Sequence, residues 1–154
     1  MRDMRVRIVG ATVAVTQVHL EMVGHVPGLK EGAAARKICD YALLAESGDG
    51  IQAILIELKS TRSDEEEPRE QLRRSLPVLD SLRSACDVER GTGTTRRMSV
   101  GYALVFEREN ARTLRKQRVR GAAPATERYR DITVRTFVGN AVPFPSLMPA
   151  VTSA

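Results

Sequence analysis

Two apolar segments joined by a short turn signal limit the folds open to this chain more than any other pattern in it. Residues 38–46 (ICDYALLAE) and 51–60 (IQAILIELKS) flank the segment SGDG, and small, flexible residues between apolar runs are typical of a β-hairpin. The second segment is almost continuously apolar from Ile51 to Ile56, as in a central strand that is covered on both faces. The sequence therefore predicts a hairpin at the centre of a β-sheet.

The turn also determines which residues of the hairpin face each other. With the turn centred between Gly48 and Asp49, antiparallel pairing places Asp40 directly opposite Glu57. Because side chains alternate along a strand, Lys59 lies on the same face as Glu57. Two carboxylates and one amine are therefore predicted to meet at one end of the hairpin.

The remaining elements follow from hydrophobic periodicity and from turn residues. Residues 5–22 are rich in β-branched residues and contain Gly10, which predicts one bent strand or two short ones. Leucines at helical spacing predict an amphipathic helix over residues 63–86. Further predictions are strands at 99–107 and 131–138, a basic helix at 110–120, and loops at 23–35 and 87–98. This order predicts an α/β (α+β) fold with a central mixed β-sheet flanked by helices.

Length and composition are those of a single soluble domain. The chain has 154 residues, of which 42% are hydrophobic and 28% charged, and no apolar run is long enough to cross a bilayer. The amino-terminal residues MRDMRVRIVG lack the apolar stretch of a secretory signal, which favours the cytoplasm. We predict one domain over residues 1–142 and a proline-rich C-terminal tail, flexible or docked on a partner, over residues 143–154.

Few side chains are available for zinc binding or for triad chemistry. Cys39 and Cys86 are the only cysteines, His19 and His25 are the only histidines, and no CxxC pair or nucleophile motif accompanies them. We therefore expect both cysteines to be buried as small hydrophobic residues rather than to bind a metal.

The predicted cluster of Asp40, Glu57 and Lys59 has a definite chemistry. Two carboxylates whose Cβ atoms lie about 5 Å apart repel each other unless a cation compensates them. Mg²⁺ or Mn²⁺ prefers carboxylate and carbonyl oxygens, so the two acidic side chains and the backbone carbonyl of Leu58 would form part of a coordination shell. Such an ion activates water and polarises a phosphate, while Lys59 positions the water or stabilises charge on phosphorus. This combination points to hydrolysis of a phosphodiester bond.

A basic segment is a second indication of a nucleic-acid partner. The formal charge is +5, and the excess is concentrated between Arg108 and Arg130. Neutralisation of phosphates by lysine and arginine adds affinity through the release of counterions, whereas aromatic residues for base stacking are few. The residues predicted to contact phosphates are Arg112, Arg115, Lys116, Arg118 and Arg120. The alternative interpretation of such a run is a solvated helix face.

The two strand motifs, CDYALL followed by AILIELKS, resemble the paired strands of the PD-(D/E)XK nuclease superfamily. The resemblance covers roughly residues 36–110 and implies a restriction-endonuclease-like core. It implies that Asp40 and Glu57 are metal ligands and that Lys59 is the catalytic lysine. It also implies a glutamine on the following helix that helps to hold the site, for which Gln71 in PREQLRRSL is the match.

Two departures from the family pattern bear on activity. Cys39 precedes Asp40 where the family often has proline, and no clear amino-terminal helix with an acidic residue is recognisable. Glu31 and Glu21 are the nearest candidates for a third acidic ligand. Glu31 is favoured because it lies beside a predicted helical turn.

The sequence thus predicts a small metal-dependent endonuclease with DNA as the expected substrate. One alternative is a catalytically inactive nuclease-like module that binds nucleic acid or serves in assembly. Another is a subunit of a larger complex, in which the tail and the first strand dock on a partner. A homodimer would allow one centre to cut each strand of a duplex.

Overall fold

The computed structural model describes residues 6–20, 37–48, 50–61, 65–89, 91, 97–108 and 124–148. The elements in chain order are β1 (Arg7–Val9), β2 (Val15–His19), β3 (Tyr41–Ser47), β4 (Gly50–Thr61), α1 (Glu66–Glu89), β5 (Met98–Arg108), β6 (Ala125–Tyr129), β7 (Ile132–Val138), β8 (Ala141–Pro143) and α2 (Phe144–Leu147). The fold is mixed α+β and is built on a six-stranded sheet and a long helix. The predicted α+β class with a mixed sheet is confirmed.

The strands of the main sheet lie in the order β2-β3-β4-β5-β7-β6. β2, β3 and β4 are antiparallel neighbours, β4, β5 and β7 run parallel, and β6 returns antiparallel to β7. The parallel step from β4 to β5 requires a crossover connection, and α1 lies within it. The central position of β4 explains why its residues from Ala53 to Glu57 are all buried.

The hairpin of β3 and β4 has the register that its turn residues predict. Tyr41 pairs with Ile56 at the open end of the hairpin. One step further along the chain in each direction lie Asp40 and Glu57, which therefore face each other. The predicted strand over residues 99–107 corresponds to β5, which lies beside β4 and completes the centre of the sheet.

Two glycines make the hairpin turn and its surroundings sterically feasible. Gly48 has a φ of 58°, in the left-handed region that favours glycine. A Cβ on Gly50 would lie 2.8 Å from the carbonyl oxygen of Arg97, which is closer than a side chain tolerates. The close approach of Arg97 to the start of β4 therefore requires glycine at position 50.

The helix α1 covers one face of the sheet. It buries Leu72, Val78 and Leu79 against a cluster that includes Leu55 of β4 and Phe106 of β5. Full burial of each such side chain contributes about 1.5–3 kcal/mol to folding. The helix begins and ends a few residues later than the predicted span. This packing fixes the position of α1 relative to the end of the hairpin.

The opposite face of the sheet is covered by both ends of the described chain. β1 pairs in parallel with β8 as a separate two-stranded sheet, and α2 follows β8 directly. Phe144 and Leu147 are buried on this face, and Arg135 donates hydrogen bonds to the carbonyl oxygens of Ser146 and Met148. Residues 144–147, which fall within the predicted tail, pack on the sheet through the large apolar side chains of Phe144 and Leu147.

Other predicted segments differ from the structure or lie outside the described residues. Residues 5–22 contribute two short strands, β1 and β2, which is one of the two predicted alternatives, and β6 has no counterpart in the sequence prediction. The predicted basic helix at 110–120 and the predicted loop at 23–35 lie outside the described residues. Of the helices that are described, none combines the length and the apolar composition needed to span a membrane.

Candidate active site

Asp40 and Glu57 are connected through backbone hydrogen bonds at the open end of the hairpin. The Asp40 N–H donates to Glu57 Oε2 at 3.2 Å, and the Leu58 N–H donates to Asp40 Oδ2 at 2.7 Å. Asp40 is partly buried, whereas Glu57 is only 1% exposed. The structure thus brings the two predicted acidic residues together and fixes each carboxylate on a backbone amide.

Lys59 lies beside this pair, two residues after Glu57 and on the same face of β4. Its Nζ lies 2.7 Å from Glu57 Oε1, and its side chain is 35% exposed while that of Glu57 is 2% exposed. The alternation of side chains along the strand places both residues on one face, as predicted. The ion pair therefore runs from the protein interior to the surface.

Burial dominates the electrostatics of Glu57. Removal from water raises the pKa of its carboxyl from 4.5 to about 7, the Asp40 charge acts in the same direction, and Lys59 acts against both. For Lys59, burial acts to lower the pKa, but the ion pair with Glu57 outweighs it and the pKa is raised. The cluster therefore contains a carboxyl group whose pKa is raised toward neutrality and an amine that stays charged.

Ser75 of α1 forms a hydrogen bond with the backbone just before Asp40. Its Oγ accepts a hydrogen bond from the Cys39 N–H at 2.8 Å and donates one to the carbonyl oxygen of Gln71 at 2.7 Å. Ser75 is completely buried, so each of these bonds satisfies a group that water cannot reach. The backbone that carries Asp40 is thereby fixed relative to α1.

Gln71, the glutamine implied by the family resemblance, lies one helical turn before Ser75. Residues four apart share a face of a helix, so Gln71 is on the side of α1 that approaches the hairpin end. Its Oε1 atom is buried and accepts no hydrogen bond from the described residues. An unsatisfied buried oxygen on this face is an acceptor that a ligand could use.

The thiol of Cys39 is adjacent to the site but is not suited to nucleophilic chemistry. Burial raises its pKa to about 12, and its Sγ donates a weak hydrogen bond to the carbonyl oxygen of Tyr41 at 3.5 Å. The prediction that both cysteines are buried is confirmed for Cys39 and is wrong for Cys86, which is exposed on α1. Cys86 follows the last buried turn of the helix, where α1 no longer contacts the core.

The oxygen donors at the hairpin end fit a hard divalent cation. A positive charge beside Asp40 and Glu57 would oppose the effects that raise the Glu57 pKa. The Leu58 N–H points toward Asp40, and its carbonyl points to the same side because both groups of one strand residue face the same neighbouring strand. Within the described ranges, no group of three or more His, Cys, Asp or Glu side chains is placed to hold a metal. The fit therefore rests on two carboxylates and a backbone carbonyl.

The remaining predicted site residues lie outside the described part of the chain. They are Glu21, Glu31, Arg112, Arg115, Lys116, Arg118 and Arg120, and their roles stay predictions. The structure in turn shows contacts that sequence analysis missed, namely Ser75 with Cys39 and Lys37 with Glu67. Each contact joins residues far apart in the sequence, so no local pattern reveals it.

In comparisons with known proteins, no family model, no curated protein and no solved structure matches this chain. The relation to the PD-(D/E)XK superfamily therefore stays a prediction, based on the motif residues quoted above.

Proposed function

We propose that this chain is a metal-dependent nuclease that hydrolyses phosphodiester bonds in DNA, with a restriction-endonuclease-like core. The observation that carries the proposal is Glu57, a carboxyl group 1% exposed at the hairpin end, bonded to the backbone of Asp40 and ion-paired with Lys59. Burying a charge costs on the order of several kcal/mol even when it is paired, and an apolar residue at position 57 would avoid that cost. A costly ionisable cluster with a perturbed pKa is typical of a functional site.

The proposed cofactor is Mg²⁺ or Mn²⁺, since hard cations of this size prefer carboxylate and carbonyl oxygens. Asp40, Glu57 and the Leu58 carbonyl are the groups that would hold it, and Gln71 Oε1 is a further buried acceptor on the adjacent helix. When bound, the ion supplies Lewis acidity toward a phosphate oxygen and toward the attacking water.

The groups of the protein around the proposed ion have different roles. The backbone amide of Leu58 holds Asp40 in one orientation, and the burial of Glu57 keeps bulk water from its carboxyl group. Because its pKa is raised, Lys59 remains an ammonium at neutral pH and serves to stabilise negative charge on the phosphate rather than to act as a base. Its partial exposure allows that contact with a substrate.

Cleavage of supercoiled plasmid and of single-stranded DNA tests the proposal, with Mg²⁺ or Mn²⁺ and with EDTA. We expect metal-dependent cleavage by the wild type and its loss in Asp40→Ala and Lys59→Ala. Arg97→Ala is the matched control, because it removes an exposed cation at the opposite end of the sheet, where the Arg97 carbonyl accepts a hydrogen bond from Ile51. Circular dichroism of each variant checks that it is folded.

Calorimetric titration with Mn²⁺ separates metal binding from catalysis. We expect Asp40→Ala to lose the binding and Lys59→Ala to retain it, since the lysine is not a ligand. No cleavage by any form, together with no metal binding, would contradict the nuclease proposal. Retained DNA binding would then favour the inactive nuclease-like module.

The oligomeric state and the location are further parts of the proposal. One centre cuts one strand, so a homodimer or a larger complex is the proposed form for double-strand cleavage, and the cytoplasm is the proposed compartment. Sedimentation of the protein with and without duplex DNA measures the oligomeric state. A monomer that cuts both strands at one position would contradict the proposed homodimer or larger complex.

A further inference from the structure

Glu67, in the first turn of α1, has its carboxylate beside the amine of Lys37. The Lys37 Nζ lies 2.6 Å from Glu67 Oε1, and the two side chains are 54% and 55% exposed. Lys37 is three positions before Asp40 in the sequence, so this ion pair lies next to the backbone that enters the site. Both partners are accessible to a ligand from solvent.

A second amine, that of Lys59, lies on the face of β4 that packs against α1, close to the end of the strand from which the chain passes into the first turn of α1. Lys37 is the main cause of the lowered pKa of Glu67, and Lys59 adds to it. Glu67 also precedes Gln71 by four residues and Ser75 by eight, so it begins the side of α1 that approaches the hairpin end. The exposed carboxylate of Glu67 is thus paired with Lys37 at the end of α1 that adjoins the end of β4, where Lys59 lies.

We propose that Lys37 and Lys59 together form a binding site for a backbone phosphate of the nucleic acid, and that Glu67 occupies this site when no substrate is bound. A phosphodiester carries one negative charge and oxygen acceptors, as a carboxylate does, and can replace it between two amines. An ion pair between exposed side chains is weak and screened by salt, so its displacement is easy. The inference rests on the proposed function for the identity of the anion.

Lys37 is accordingly a binding residue and not a catalytic one. Among the described residues, its side chain pairs with Glu67 and makes no hydrogen bond or ion pair with Asp40 or Glu57. Loss of its charge should weaken substrate binding and leave the chemical step nearly unchanged. Loss of the Glu67 charge should have the opposite effect on binding, because a competing anion is removed.

Fluorescence anisotropy with a labelled single-stranded oligonucleotide in EDTA tests the inference, since EDTA prevents metal-dependent cleavage. The variants are Lys37→Gln and Glu67→Gln. The matched controls are Arg97→Gln and Glu89→Gln, which make the same changes in net charge at exposed positions away from the site. We expect Lys37→Gln to weaken binding about fivefold at low salt and to reduce the slope of log K against log salt by about 0.7. Glu67→Gln should tighten binding about threefold on the same reasoning, and the controls should change it less than about twofold.

The inference would be overturned if Lys37→Gln and Arg97→Gln weakened oligonucleotide binding equally. It would also be overturned if the wild type did not bind the oligonucleotide, or if Glu67→Gln bound it no more tightly than the wild type. These outcomes are separate from those of the cleavage assay. Cleavage by the wild type with no specific Lys37 effect would retain the nuclease and remove this site. The expected binding changes without any cleavage would retain the site and remove the nuclease.

Discussion

Replacement of Glu57 by glutamine should stabilise the metal-free protein at alkaline pH. In the folded chain the pKa of Glu57 is raised from 4.5 to about 7, first by burial and then by the Asp40 charge. The folded chain therefore holds a proton that the unfolded chain releases between these two values. The stability contributed by the neutral carboxyl group is fully present below about pH 4.5 and is lost as the pH rises through about 7.

The size of this effect follows from the same pKa. A rise from 4.5 to about 7 corresponds to a loss of about 3 kcal/mol between those pH values. Glutamine resembles the neutral carboxyl group and its amide oxygen can still accept the hydrogen bond from the Asp40 N–H. We therefore expect Glu57→Gln to be more stable than the wild type by up to about 3 kcal/mol at pH 8 and to differ little at pH 4.5.

Urea denaturation in EDTA at both pH values, followed by circular dichroism, measures the difference. A change of about 3 kcal/mol shifts the midpoint by about 1–2 M urea for a protein of this size. Glu46→Gln, at an exposed position near the hairpin turn, is the control; it retains Glu57 and should therefore lose the same stability as the wild type between the two pH values. The reasoning would be refuted if the wild type lost no more stability than Glu57→Gln between pH 4.5 and pH 8.

Two further substitutions test the structure around the site. Ser75→Ala leaves the buried Cys39 N–H without an acceptor and should destabilise the fold by about 1–3 kcal/mol. Unchanged stability in urea, or unchanged hydrogen exchange at the Cys39 amide, would contradict the role of this hydrogen bond in holding α1 against the hairpin. Gly50→Ala places a Cβ 2.8 Å from the Arg97 carbonyl oxygen and should destabilise the fold by about 1–3 kcal/mol, whereas an unchanged thermal midpoint would show that β5 can move aside.

The hairpin and its charged end could be predicted because their determinants are local. The turn residues fix the register, and the register fixes the placement of Asp40, Glu57 and Lys59 by simple alternation. The leucine spacing of α1 is likewise a local signal. Strands and helices that bury one apolar face carry a periodic pattern of apolar residues, and this pattern can be recognised in the sequence.

The parts that could not be predicted depend on contacts between distant segments. β1 pairs with β8 from the other end of the described chain, and the burial of Phe144 and Leu147 follows from that docking. β6 is an edge strand with mostly exposed residues, so it lacks the apolar alternation that marks a strand. The hydrogen bond of Ser75 and the ion pair of Glu67 depend on how α1 crosses the sheet, which the sequence of the helix does not specify.

The most direct test of the proposed chemistry is the rate of plasmid cleavage in Mg²⁺ by Lys59→Ala relative to the wild type. The ammonium of Lys59, paired with Glu57 and partly exposed, is the group assigned to the developing phosphate charge. Its removal should lower the cleavage rate by about 100-fold or more while the protein stays folded. Cleavage by the folded Lys59→Ala variant at the wild-type rate would contradict the assignment of this cluster as the catalytic centre.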